Sequence, residues 1–239
     1  MKAIRLLGAT LLASTTLLGA GQAFAASEDS VATPSSARTN LSVEITPADD
    51  LPEITPPGGD GSEDNDGDGQ PDGGNKPNPG VGLFGIAYQP YEFNFQAVNS
   101  KSTSFSTTAP APEGKTWNVG VKDKTNDTKG WELKASLHGN VVDNAHATLS
   151  FTNSTGVKEN NGSGTLGELN VPGTVTAESS VSIDGSTQKP VMTGVNDQLK
   201  NAYAYDYQMD DVTLTFGANT PANQYSGYIN WNLSVAPGA

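Results

Sequence analysis

Gly130-Trp131-Glu132-Leu133-Lys134-Ala135-Ser136-Leu137-His138 alternates apolar and polar residues without a break. Successive side chains of an extended chain point to opposite faces, so this stretch places Trp131, Leu133, Ala135 and Leu137 on one face and Glu132, Lys134, Ser136 and His138 on the other. The pattern returns near the C-terminus, where Ile229, Trp231, Leu233 and Val235 alternate with Tyr228, Asn230, Asn232 and Ser234. Trp117, Val119 and Val121 form a third such row, and Val212, Leu214 and Phe216 a fourth. Period two with β-branched and aromatic enrichment predicts strands covered on one face. Turn clusters separate them at Asn160-Asn161-Gly162-Ser163-Gly164, Val171-Pro172-Gly173 and Ile183-Asp184-Gly185. Only Val195 to Asn201 offers a helical turn, and no repeat of fixed period is present. The fold expected is all-β: a sandwich-like domain of antiparallel strands over residues 81–239.

Upstream of that domain the composition changes. Residues 26–80 contain no Phe, Tyr or Trp and carry 12 acids against two bases, Arg38 and Lys76. Such a segment cannot bury enough apolar area to offset the entropy of ordering, so Thr46 to Gly80 reads as a flexible acidic linker. Within the front segment Leu41-Ser42-Val43-Glu44-Ile45 alternates over five residues before Thr46-Pro47, as an edge strand would. Residues 1–25 pair Lys2 and Arg5 with an apolar run from Leu6 to Ala20 and then Ala23-Phe24-Ala25, the pattern of a cleaved signal peptide. Export is therefore expected, with no membrane span. The sequence has no cysteine, which excludes disulfides and thiol chemistry. A net charge of −13 argues against nucleic acid, whose phosphates need a basic patch.

Four groups of residues invite a chemical reading. Trp131 with Leu133, and Trp231 with Leu233, are either core residues or a binding surface, and alternation favours the core. Tyr203-Ala204-Tyr205-Asp206-Tyr207 puts Tyr203, Tyr205 and Tyr207 on one face of an extended segment, either a platform for stacking sugar rings or an ordinary packed strand. Asp64-Asn65-Asp66-Gly67-Asp68-Gly69-Gln70-Pro71-Asp72 has the spacing of a Ca²⁺ loop with Asp64, Asp66, Asp68 and Asp72 as ligands. The twelfth position is Asn75 rather than Glu, and a solvated acidic linker is the alternative. His138 and His146 are the only histidines, and no nucleophile elbow or phosphate loop is present, so no enzyme is expected and no cofactor is required.

The combination of a leading Leu41-Ser42-Val43-Glu44-Ile45-Thr46-Pro47 strand, an Asp/Pro/Gly linker, Val81-Gly82-Leu83, Val119-Gly120-Val121-Lys122-Asp123, Gly130-Trp131-Glu132-Leu133-Lys134-Ala135 and Tyr228-Ile229-Asn230-Trp231-Asn232-Leu233-Ser234 resembles the WxL-domain proteins of low-GC Gram-positive bacteria. The leading strand departs from the commonest pattern in lacking an aromatic near Ile45. The resemblance implies non-covalent attachment to the cell wall, to peptidoglycan, and assembly with companion surface proteins of the same system. The competing readings are an adhesin or carbohydrate-binding module for a host or environmental glycan, and a wall hydrolase.

Overall fold

The four alternating rows between Trp117 and Val235 all form strand, and the computed structural model, which describes residues 54–58, 74–98 and 104–235, holds thirteen strands and one short helix among those residues. In chain order they are β1 (Asn75–Pro77), β2 (Phe84–Pro90), β3 (Phe105–Thr108), β4 (Trp117–Asp123), β5 (Trp131–His138), α1 (Asn140–Asp143), β6 (Thr148–Thr152), β7 (Lys158–Asn160), β8 (Leu166–Gly167), β9 (Val175–Ala177), β10 (Ser180–Ile183), β11 (Lys189–Gly194), β12 (Ala202–Phe216) and β13 (Tyr228–Val235). All of the described residues lie in the unit Thr46–Ala239. The leading strand, the Ca²⁺-like loop and the N-terminal leader expected from sequence fall outside the described residues. No helix among the described residues is long and apolar enough to cross a membrane.

Two antiparallel sheets make the sandwich. The larger follows β1-β2-β4-β12-β6-β10, with β3 and β7 also paired to β12 and β8 to β7; the smaller runs β13-β5-β11-β9. β12 spans fifteen residues because its two halves pair with different neighbours, β4 and β7 first, then β3 and β6. The halves join where the register shifts between Asp210 and Thr213 and Asp211 turns to φ 50°, a left-handed bulge that Asp tolerates better than most residues.

The core lies between the sheets. β5 supplies Trp131, Leu133 and Leu137, β4 supplies Val119 and Val121, and Phe151 of β6 closes the layer. Each such side chain contributes about 1.5–3 kcal/mol by removal from water. The Trp131 ring lies directly over Gly194 of the neighbouring β11, where an added Cβ would stand 2.4 Å from it. Glycine is required there to let the indole approach the backbone.

Three expectations change. Residues 54–58 and 74–80, read as linker, belong to the domain: Ile54 and Asn75 are buried and β1 pairs with β2. Val195 to Asn201 is a turn rather than a helix, and the helix lies instead at Asn140–Asp143. β4 is buried on both faces, where alternation had predicted one. Its second face is covered by Tyr88, whose ring lies across Gly120, a position where an added Cβ would meet the ring at 2.3 Å.

Candidate functional site

The two Trp-x-Leu strands are neighbours. β13 pairs with β5 over its whole length, with Trp231 opposite Ala135 and Leu233 opposite Leu133. The resulting ribbon has a core face and an outer face, yet its two tryptophans differ. β5 is interior to its sheet, so Trp131 is 1% exposed, and its Nε1 donates to Asp123 Oδ2 at 3.0 Å. Burial raises the Asp123 carboxyl above its usual range, while hydrogen bonds from Thr125 and Trp131 oppose the rise. β13 ends its sheet, so Trp231 and Leu233 are half-buried, with Trp231 packed at 6.5 Å from Phe151.

The outer face of the ribbon is polar and neutral overall. Lys134 pairs with Glu132 at 2.7 Å, and Asn232 Nδ2 donates to Gln188 Oε1 at 3.1 Å. Tyr228 is 64% exposed and stacks on the His138 ring at 5.5 Å, with Ser136 Oγ 3.0 Å from His138 Nε2. Tyr228, Asn230, Asn232 and Ser234 form an exposed row. Beside Tyr228 a hollow of about 680 Å³ is bordered by His138, His146, Asp143, Asp184 and Ser186. Hydrogen bonds from Ser186 hold the Asp184 carboxyl below its ordinary range, so it stays ionised. Both histidines lie at the surface end of the ribbon, as a strand and a loop residue.

The tyrosine stripe does not form a platform. The register shifts between Ala202 and Tyr205, so Tyr203 packs against the small cluster of Ile54, Ala87, Tyr88 and Ala204 while Tyr205 and Tyr207 enter the inter-sheet core. At 2% and 0% exposure neither can stack on a sugar, and burial drives both phenols well above their usual range. Tyr203 alone keeps a partly open ring, capped by Lys124 Nζ at 4.0 Å.

Sequence reasoning missed a buried polar network on the outside of the larger sheet. Tyr88 OH donates to Asp206 Oδ2 at 2.7 Å and Asn118 Nδ2 to Asp206 Oδ1 at 2.8 Å. Asn75 bonds the carbonyls of Pro57 and Thr116, and Asn160 Nδ2 donates to the Thr55 carbonyl. These contacts fasten residues 54–58 and 75–77 to the sheet. Burial lifts the Asp206 carboxyl to about 7, against the pull of its hydrogen bonds from Tyr88 and Asn118. Gly120 inside a strand was the available signal, since such a glycine marks close approach by another group. Among the described residues no group of three or more His, Asp or Glu is arranged to hold a metal ion.

The pair of adjacent Trp-x-Leu strands agrees with the family comparison. The model of the WxL domain, a surface cell wall-binding domain, matches residues 32–237. The chain belongs to the WxL-domain family. No curated protein and no solved structure matches it. The match begins within the front segment, at residue 32, and ends beyond β13, so residues 54–58 and 74–80 of this WxL domain are part of the family unit, in keeping with their packing. In the WxL fold seen here the name-giving Trp-x-Leu residues build the small sheet, and the exposed surface they create is its polar outer row.

Proposed function

We propose that this WxL domain holds an exported, non-enzymatic surface protein at a Gram-positive cell wall by non-covalent contact between peptidoglycan and the outer face of the β5–β13 ribbon, and that it joins companion surface proteins there. The observation that carries this reading is the exposed Tyr228, stacked on His138 and continued by Asn230 and Asn232. An aromatic ring standing out of a polar face stacks on a sugar, and carboxamides bond its hydroxyl and acetamido groups.

Electrostatics restricts how contact is made. The chain carries a net −13, so the phosphate polymers of a wall repel it at distances up to a Debye length, about 8 Å at physiological ionic strength. The ribbon face escapes this because its Glu132 is paired with Lys134. Short-range contact with uncharged glycan therefore suffices. The protein is expected to sediment with peptidoglycan stripped of teichoic acid at pH 7, with chelator present. Unstripped walls at low salt should retain less, and added salt should restore binding by screening. Sedimentation that needs Ca²⁺, or that needs teichoic acid, would overturn the reading.

A further inference from the structure

β13 is the one sheet edge among the described residues built without protection. The other edge strands are short: β1 has three residues and carries Lys76 and Pro77, β9 has three, β3 and β10 four each, and β8 two. β13 has eight, none of them charged and none proline. Natural sheets blunt long edges with charge, proline or bulges, and an edge left flat and neutral is a template for another strand.

The direction of its main-chain groups follows from one hydrogen bond. Leu137 N–H donates to the Asp184 carbonyl at 3.0 Å, away from its β13 partner Ile229. The Leu137–Ile229 pair is thus of the kind that exchanges no hydrogen bonds, and alternation repeats this at Ala135–Trp231 and Leu133–Leu233. The N–H and C=O groups of Ile229, Trp231 and Leu233 point outward along the open edge, with no strand paired to them among the described residues. The side chains of the same three residues face inward, and Ile229 and Trp231 line a groove of about 1010 Å³ that runs between β13 and the extended stretch at 91–97. Phe93, Phe105 and Phe216 give it an apolar wall, and Glu92, Asn94 and Gln224 line it as well.

We infer that this edge accepts an extended segment of a partner protein as an added antiparallel strand, whose alternate apolar side chains enter the groove beside Trp231. The occupant is set by three features. Outward main-chain pairs select a polypeptide backbone rather than a glycan; the groove selects apolar residues at every second position; and a net charge of −13 beside an uncharged edge favours a neutral or basic strand over a second copy of this chain. The inference rests on the part of the proposed function that concerns companion proteins, and is independent of peptidoglycan contact.

The probe is a blocked, labelled octapeptide alternating valine with threonine, with a lysine added at each end, titrated into the full chain by fluorescence anisotropy. Saturable binding is expected. Residues directly opposite each other in an antiparallel ladder share a face, so the valines facing the groove are also those whose N–H groups pair with Ile229, Trp231 and Leu233. N-methylation of the valines should weaken binding at least tenfold, N-methylation of the threonines should leave it unchanged, and Trp231→Ala should weaken the unmodified peptide. No saturable binding, equal binding of the two methylated peptides, or a homodimer in sedimentation velocity that excludes the peptide would overturn the inference. Peptidoglycan sedimentation of the same preparation tests the wall contact separately, so either can fail alone.

Discussion

Trp131→Ala lowers the free energy of unfolding by about 3–5 kcal/mol, enough to remove a large share of the stability of an ordinary domain. The ring is 1% exposed, lies on Gly194, and satisfies a buried carboxylate through Nε1. Truncation leaves a cavity between the sheets and takes from Asp123 a hydrogen bond that water cannot easily replace. Trp231→Ala costs about 1–2 kcal/mol, because the side chain is half-buried at a sheet edge and its loss opens onto an existing groove. Urea titration checks the contrast: the midpoint should fall much further for Trp131→Ala, with a similar slope for both variants. Equal losses would mean that the two motifs are interchangeable core residues. Any defect in wall binding shown by Trp131→Ala is then a defect of folding.

Stability falls as pH rises from about 4 to about 7, and Asp206 is the cause. Its carboxyl is raised from 3.8 to about 7 in the folded chain, so the native state holds a proton that the unfolded chain releases. The contribution is full below the unfolded value and is lost as pH climbs through the folded one. At about 1.4 kcal/mol for each pH unit between the two, the change is roughly 4 kcal/mol. Asp123, raised by burial in the same way, adds to the trend, whereas Asp184 and Asp210 lie below their ordinary range and act in the opposite sense at more acid pH. Asp206→Asn should flatten the profile, since a carboxamide fills the same space and still accepts from Asn118. Urea midpoints between pH 4 and 8 for the two proteins decide it, and a wild-type midpoint that rises across this window would contradict the account. The contacts most exposed to the loss are those of residues 54–58 and 75–77, which the Asp206 network fastens to the sheet.

β5 and β13 were legible as strands because their alternation is local and each shows one wet face. The difference between Trp131 and Trp231 was not, since both sit in the same tripeptide pattern and only their places in the sheet, interior against edge, separate them. Period also misled at β4 and β12. A strand whose second face is covered by distant chain looks half-exposed in sequence, and Asn118, Gly120 and Asp206 read as outward residues until Tyr88 and Asn75 are seen to lie over them. The tyrosine stripe failed for a related reason: a register shift within three residues moves Tyr203 out of line with Tyr205 and Tyr207. Composition hid the start of the domain as well, because its anchors, Ile54 with Pro56 and Pro57 and then Asn75, are few in an otherwise acidic stretch and no average over a window reveals them.

The Trp-x-Leu strands build a sheet whose exposed polar row is the surface proposed to touch the wall. Sedimentation of the double variant Tyr228→Ala, Asn232→Ala with stripped peptidoglycan tests it most directly, because both side chains are exposed and their removal should change stability by no more than about 0.5 kcal/mol. At least a tenfold loss of binding is expected, by a protein that unfolds at the wild-type urea concentration. A double variant that folds normally and sediments with peptidoglycan as the wild type does would contradict it.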